Sequence, residues 1–352
     1  MTIRPLAGVK VLDFTTLLPG PLATLILAEA GASVMKVERP DGGDDMRGYE
    51  PKLGPTSAMF ALLNRGKTSI ALDLKNSADQ ARALGMATTA DIVVEQFRPG
   101  VMDRLGLGYE AVARLNPKIV YCSITGYGQS GPKANDAGHD MNFAAEAGLL
   151  SVVADRDGAP PPLPAPIADI VGGAYPAVMN ILLALRERDA SGRGRHLDVA
   201  MSDNMFPLLV RALASGFRGV WQAPNADLLT GATPRYANYR TRDGRYVTVA
   251  ALEDRFWRNL CALLGVSEDA QRADVAKAIA QRDAQDWAAA FAGRDVCCSV
   301  VATVEEALAS PHVAARGLFT RRVENAGGEI PALPLPLVEA YRDPERGAAS
   351  PE

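Results

Sequence analysis

The chain has 352 residues, 48% of them apolar and 22% charged, with a formal net charge of -4 and a pI near 5.6. That length exceeds the ~100 to 200 residues usual for one domain, and the ordinary composition argues against disorder, fibrous structure and coiled coil. The weak negative charge provides no global positive field for nucleic acid or an anionic membrane, so any bound anion must be held by local cations.

MTIRPLAGVKVLDF runs into a strand-like stretch without a charged n-region and an apolar h-region. No uninterrupted apolar run approaches the ~20 residues of a membrane span. The reading is a cytoplasmic protein that binds neither membrane nor nucleic acid. The next elements follow a β-α-β rhythm: GVKVLDF (8–14), PLATLILAEAG (21–31) and SVMKVE (33–38), with Pro21 in a first helical turn and Gly31 as a C-terminal cap. The rhythm continues through TSIALDL, a helix near 77–88, DIVVEQF, a helix near 101–115, and KIVYCSIT. Parallel strands joined by crossover helices are expected, in a doubly wound α/β layer.

TTLLPGPLA follows the first strand where a dinucleotide site would carry G-x-G-x-x-G, so a nicotinamide cofactor is excluded. APPPLPAPIAD (159–169) reads as an extended connector to a helix that begins after Asp169, with Val178, Ile181, Leu182 and Leu185 at helical spacing. TPRYANYRTRDGRYVTVAAL reads as a hairpin turning at Arg242-Asp243-Gly244, with helical segments to about 310. The expected organisation is a large α/β domain over 1–220, a small α+β domain over 225–312, and a segment over 313–352 returning to the large domain, with RDPERGAASPE as a disordered tail. Cys122, Cys261, Cys297 and Cys298 lack C-x-x-C spacing, which points to reduced structural thiols and no metal site.

LAGVKVLDF, LLPGPLAT, VERPDGGD, LNRGKTSIALDL, FRPGVMDRLGLG, SITGYGQSGP, IADIVGG and DGRYVTVAALEDRFW occur in collinear order over nearly the whole chain. Together they resemble the family III CoA-transferase (CaiB/BaiF) superfamily. The resemblance implies a Rossmann-like large domain with a smaller α+β domain, an interlocked homodimer, an acyl-CoA substrate, and no cofactor beyond the CoA of the thioester. Two chemistries share this fold: CoA transfer between carboxylic acids, and racemisation of 2-methylacyl-CoA esters. The racemase branch carries Gly-His-Asp followed by an aromatic residue and a Gly-Ala-Ile-Glu run after the hairpin, which Gly138-His139-Asp140-Met141-Asn142-Phe143 and Ala250-Ala251-Leu252-Glu253 resemble; the transferase-type glycine-rich loop is not evident in LLTGATPRYANY.

Racemisation next to a thioester needs one group to remove the α-proton and another to return it on the opposite face. His139 suits the first role because imidazole titrates near neutrality, with Glu253 to fix its tautomer and Asp169 as the second base. In the transferase alternative, Asp169 is a nucleophile that passes through an acyl anhydride and a CoA thioester. Taken alone, Asp before a helix is an N-cap worth ~1 kcal/mol. Backbone N–H groups after Asp169 are expected to stabilise an enolate oxygen, with Gly172 and Gly173 admitting substrate to that backbone. The CoA phosphates need cations, for which Arg39 and Arg98 lead, matching Arg-Pro pairs of the family, with Lys75 and Arg104 behind them. Gly126-Tyr127-Gly128 suits either close backbone approach to a ligand or a plain turn. Asp140 is a supporting residue and His196 a structural one.

Overall fold

The computed structural model describes residues 4–342 and 349–351, which form two compact units. Among the described residues the first unit comprises 4–149, 163–208 and those from 317 onward; the second comprises 150–162 and 209–316. Residues 150–162 and 209–220, read from the sequence as part of the large domain, and 313–316, read as returning to it, thus group with the small unit. Asn225 ties the first of these segments to this unit: its side chain accepts the Ala154 N–H at 3.2 Å and donates to the Ala154 carbonyl at 2.6 Å.

Six strands form the sheet of the first unit: β1 (Lys10–Asp13), β2 (Ser33–Glu38), β3 (Thr68–Ala71), β4 (Ile92–Glu95), β5 (Val120–Thr125) and β6 (Arg195–Ala200). Every pairing is parallel and the spatial order is β3-β2-β1-β4-β5-β6. In an open doubly wound sheet ligands collect beyond the carboxyl ends of the strands where the order reverses, here between β1 and β4. Both faces are covered, which is why the strands read as near-continuous apolar runs. One apolar layer joins α1 (Pro19–Glu29) to Val11, Val34, Ile92, Val94, Val120 and Cys122; the other joins Leu12, Val93 and Tyr121 to α2 (Ser77–Ala87) and the segment around Met102 and Val112.

The single helix expected near 101–115 is two, α3 (Val101–Arg104) and α4 (Tyr109–Leu115). Gly106, at φ +70°, turns the chain between them. α5 (Asp140–Glu146) follows β5. The long helix does not begin after Asp169: a π-helical turn over Ala168–Ala174 runs directly into α6 (Tyr175–Ser191). That element, Ala168–Ser191, is long and apolar enough by length and composition to cross a membrane, which the sequence reading had excluded anywhere in the chain; half of its apolar window is buried within the fold. Its packing on α1, β5 and β6 marks it as the core helix of a globular unit. Of the tail, 343–348 and 352 lie outside the described residues. Ala349 to Pro351 are held: the Ala349 carbonyl accepts the Gly66 N–H at 2.8 Å and Ala349 bridges Glu324.

In the second unit, β7 (Tyr236–Arg240) and β8 (Tyr246–Ala250) form the expected hairpin, with Gly244 at φ +84°. A third antiparallel strand, β9 (Cys298–Val300), adds to β8. α7 (Asp254–Leu264), α8 (Arg272–Ile279) and α9 (Ala284–Phe291) close its core around Trp257, Val275 and Trp287.

Candidate active site

A cavity of about 480 Å³ opens in the first unit beyond the carboxyl ends of four strands. Leu17 and Pro19 follow β1, Gln96 to Pro99 follow β4, Gly126 and Tyr127 follow β5, and Met201 follows β6; His139, Asn142, Phe143 and Asp169 complete the wall.

A buried ionic network holds the β1 side. Asp13 is fully buried; it accepts the Thr15 hydroxyl at 2.5 Å and the Thr24 hydroxyl at 2.6 Å, and it pairs with Lys67 at 3.3 Å. Burial pushes its carboxyl up, but Lys67, Lys36 and the two hydroxyls outweigh that and hold it below the ordinary carboxylate range. Lys36, also fully buried, donates to the Thr15 carbonyl at 2.6 Å and pairs with Asp44 at 3.0 Å. Asp44 in turn accepts the Leu17 N–H at 3.1 Å, with Leu17 at φ +60°. A left-handed leucine persists only where its surroundings impose it, and here a buried carboxylate does so at the cavity wall.

Asp169 lies inside the first turn of its helix and is not its N-cap. Its N–H donates to Asp140 Oδ1 at 2.9 Å, and the Ile170 N–H donates to the Pro166 carbonyl at 3.1 Å. The Ile170 N–H, the first of those expected to serve an enolate oxygen, is therefore already satisfied. Gly172 and Gly173 do not admit substrate either: a Cβ on Gly172 would stand 2.6 Å from the Met201 carbonyl oxygen, and one on Gly173 3.0 Å from Pro19 Cβ. Their role is close packing, which lays the helix against the loop after β6. Burial, then the neighbouring Asp140 carboxylate, raises the Asp169 carboxyl to about 6, with His139 pulling the other way. His139 is the N-cap of α5, and its N–H donates to Asn142 Oδ1 at 3.0 Å. That leaves the Asn142 amide NH₂ as a donor at the cavity wall.

A model of CoA-transferase family III matches residues 6–351. The chain belongs to CoA-transferase family III. It is 33% identical to the acetyl-CoA:oxalate CoA-transferase of Acetobacter aceti, over 99% of this chain and 92% of that one. It is 34% identical to the alpha-methylacyl-CoA racemase of Mus musculus, over 97% of this chain and 90% of that one. A crystal structure of a CaiB/BaiF family protein from Brucella suis superposes with a TM-score of 0.85 at 30% identity, covering 99% and 96% of the two chains.

In this family III chain the cavity brings together His139, Asp169, Arg98, Gly126 and Tyr127. Arg39 is elsewhere, exposed and ion-paired with Asp45 beside a separate hollow near Glu38 and Arg47. Lys75 and Arg104 are exposed and line neither that hollow nor the cavity. Gly128, at φ +88°, donates its N–H to Thr125 Oγ1 at 2.9 Å, which is turn geometry. Glu253 belongs to the second unit, exposed at the N-cap of α7. His196, read as structural, lies with Nε2 3.0 Å from Ser123 Oγ and its ring stacked on Tyr109. Among the described residues no group of three or more His, Cys, Asp or Glu could hold a metal ion.

Sequence reasoning missed Gln96, Asn142 and Leu17. Gln96 Nε2 donates to the Thr16 carbonyl at 2.7 Å while its Oε1 accepts the Gly20 N–H at 3.2 Å, clasping the β1 loop to the β4 turn. Its place two residues before Arg98 was the available signal. Gly126 carries a steric role as well: a Cβ there would lie 2.3 Å from Phe143 Cε1, and one on Gly138 2.6 Å from the same atom. Gly126→Ala is expected to destabilise by roughly 1–3 kcal/mol through overpacking, visible as a lowered melting temperature, whereas an unchanged value would show that the ring yields freely.

Proposed function

We propose that the protein is an acyl-CoA racemase or epimerase of the 2-methylacyl type, with His139 and Asp169 as opposed acid-base groups. The observation that carries this reading is a carboxyl raised to about 6 in the same cavity as a histidine, which places two proton-carrying groups on one site. In one direction ionised Asp169 removes the α-proton and the His139 imidazolium returns one to the other face; in the reverse direction the roles swap. Arg98, on the rim, takes a CoA phosphate, the Asn142 amide faces the developing enolate, and Glu253 is assigned on the resemblance alone to fix the His139 tautomer. The reading extends to a cytoplasmic location and to a homodimer, the latter supported by the exposed Met179, Leu182 and Leu183 on α6.

In deuterated water, 2-methylacyl-CoA should exchange its α-proton, and kcat/KM for the enantiomer deprotonated by Asp169 should rise with pH through about 6 as that carboxyl ionises. Absence of exchange would sink the proposal. CoA transfer is the second reading, favoured by the equal likeness to the oxalate transferase. Its mark is an adduct of CoA mass on Asp169 when acyl-CoA is supplied.

A further inference from the structure

We propose that Glu95 is a proton-operated rival for Arg98: ionised, its carboxylate draws the guanidinium away from a CoA phosphate, and protonated, it releases it. The inference rests on the reading of Arg98 as a phosphate contact and adds a control to it.

Glu95 is the last residue of β4, three positions before Arg98, and only 4% exposed. Its Oε2 accepts the Phe97 N–H at 2.8 Å, so the carboxyl is built into the turn that carries Arg98. A second cavity, of about 150 Å³, opens beside this turn, and Arg98 lines both it and the larger one. No side-chain ion pair or hydrogen bond joins Arg98 to another described residue. Arg98 therefore stands on the wall shared by two hollows.

The smaller cavity is acidic. Glu95 from β4, Asp103 from α3 and Glu110 from α4 line it, with Tyr109, Tyr121, Ser123 and His196 as their neighbours. Burial is the largest influence on Glu95 and raises its carboxyl to about 7; hydrogen bonds from Ser123 and the Phe97 amide oppose the rise, and Asp103 adds to it. Burial also lowers the proton affinity of His196, against the pull of Asp198, Asp103 and Glu110, which favours its neutral form. Near pH 7 the charge of the smaller cavity therefore changes at Glu95, and an exposed arginine that lines the same cavity as a new carboxylate is partly diverted from a competing phosphate.

The test is calorimetric titration of free CoA into wild-type protein, Glu95→Gln, Arg98→Ala and the double variant at pH 5.5 and 8.5, at constant ionic strength. Gln keeps an acceptor for the Phe97 N–H and cannot ionise. Glu95→Gln should match wild type at pH 5.5 and bind about threefold tighter at pH 8.5, a size typical of a partly exposed charge pair. The difference should vanish in the Arg98→Ala background. Equal affinities of wild type and Glu95→Gln at both pH values would overturn the inference, as would a Glu95→Gln effect that survives removal of Arg98. Failure of wild type to bind CoA at either pH removes the CoA reading itself and this inference with it. If Glu95→Gln does not fold, Ser123→Ala serves: losing a hydrogen bond to the ionised form should move the wild-type affinity inflection to higher pH, and an unmoved inflection counts against the idea.

Discussion

Asp169→Asn is expected to lose racemisation by about 10²–10⁴-fold, the usual worth of one positioned acid-base group, while still exchanging the α-proton of one enantiomer. The amide has nearly the shape of the carboxyl but takes up no proton in this range. His139 remains, so the enantiomer presenting its α-proton to the imidazole can exchange with solvent and recover the same configuration. Chiral analysis of the thioester alongside deuterium incorporation separates the two results. Exchange lost equally from both enantiomers would mean that Asp169 does more than serve one face, and undiminished racemisation would remove it from the chemistry. Folding supplies a control. Because the native carboxyl titrates near 6, against 3.8 for the unperturbed group, the native state holds a proton that the unfolded chain has released between those values, and stability falls as pH rises across that window. Above pH 6 the ionised group is a net cost, so the Asn variant should be about 1–2 kcal/mol more stable there after allowance for solvent screening. A variant that is more stable and nearly inactive cannot owe its inactivity to misfolding.

Lys67→Met should cost about 3–5 kcal/mol of stability, the penalty for leaving a buried charge without its partner. Lys67 Nζ donates to the Pro21 carbonyl at 2.9 Å, to Thr24 Oγ1 at 2.8 Å, to Asn64 Oδ1 at 2.9 Å and to Asp13 Oδ2 at 3.3 Å. Met fills the volume and satisfies none of these acceptors. Urea denaturation at pH 7 measures the loss, and a change under 1 kcal/mol would show that Lys36 suffices to balance Asp13. The wild-type pair also sets an acid limit. The Asp13 carboxyl is held low in the folded protein, so its contribution is complete above the unfolded value of 3.8 and drains away as pH falls below it.

The strands of the large unit were legible because both faces of a parallel sheet are covered, so SVMKVE and KIVYCSIT advertise themselves as apolar runs. Their spatial order was not, because the pairing partner of each strand is a long-range choice that local composition does not record. β9 escaped notice because three residues, Cys298–Val300, carry no period. At the site, His139, Asp169 and Arg98 were legible through motifs. The glycines were misread: sequence reveals that Gly172 and Gly173 lack side chains, and only the fold reveals that Met201 and Pro19 occupy the space where those side chains would be. Gln96 and Asn142 are amides of a kind found on any surface, and become notable only when the carboxyl ends of four strands gather them.

That gathering makes the cavity a cooperative object. Its walls follow β1, β4, β5 and β6, four strands spread over nearly two hundred residues of chain. No fragment that lacks one of them retains the pocket, so ligand affinity and the integrity of the sheet are thermodynamically linked. A thioester at 100 times its dissociation constant should add about 2.7 kcal/mol against unfolding of the whole unit, and should slow hydrogen exchange in the central strands that never touch it.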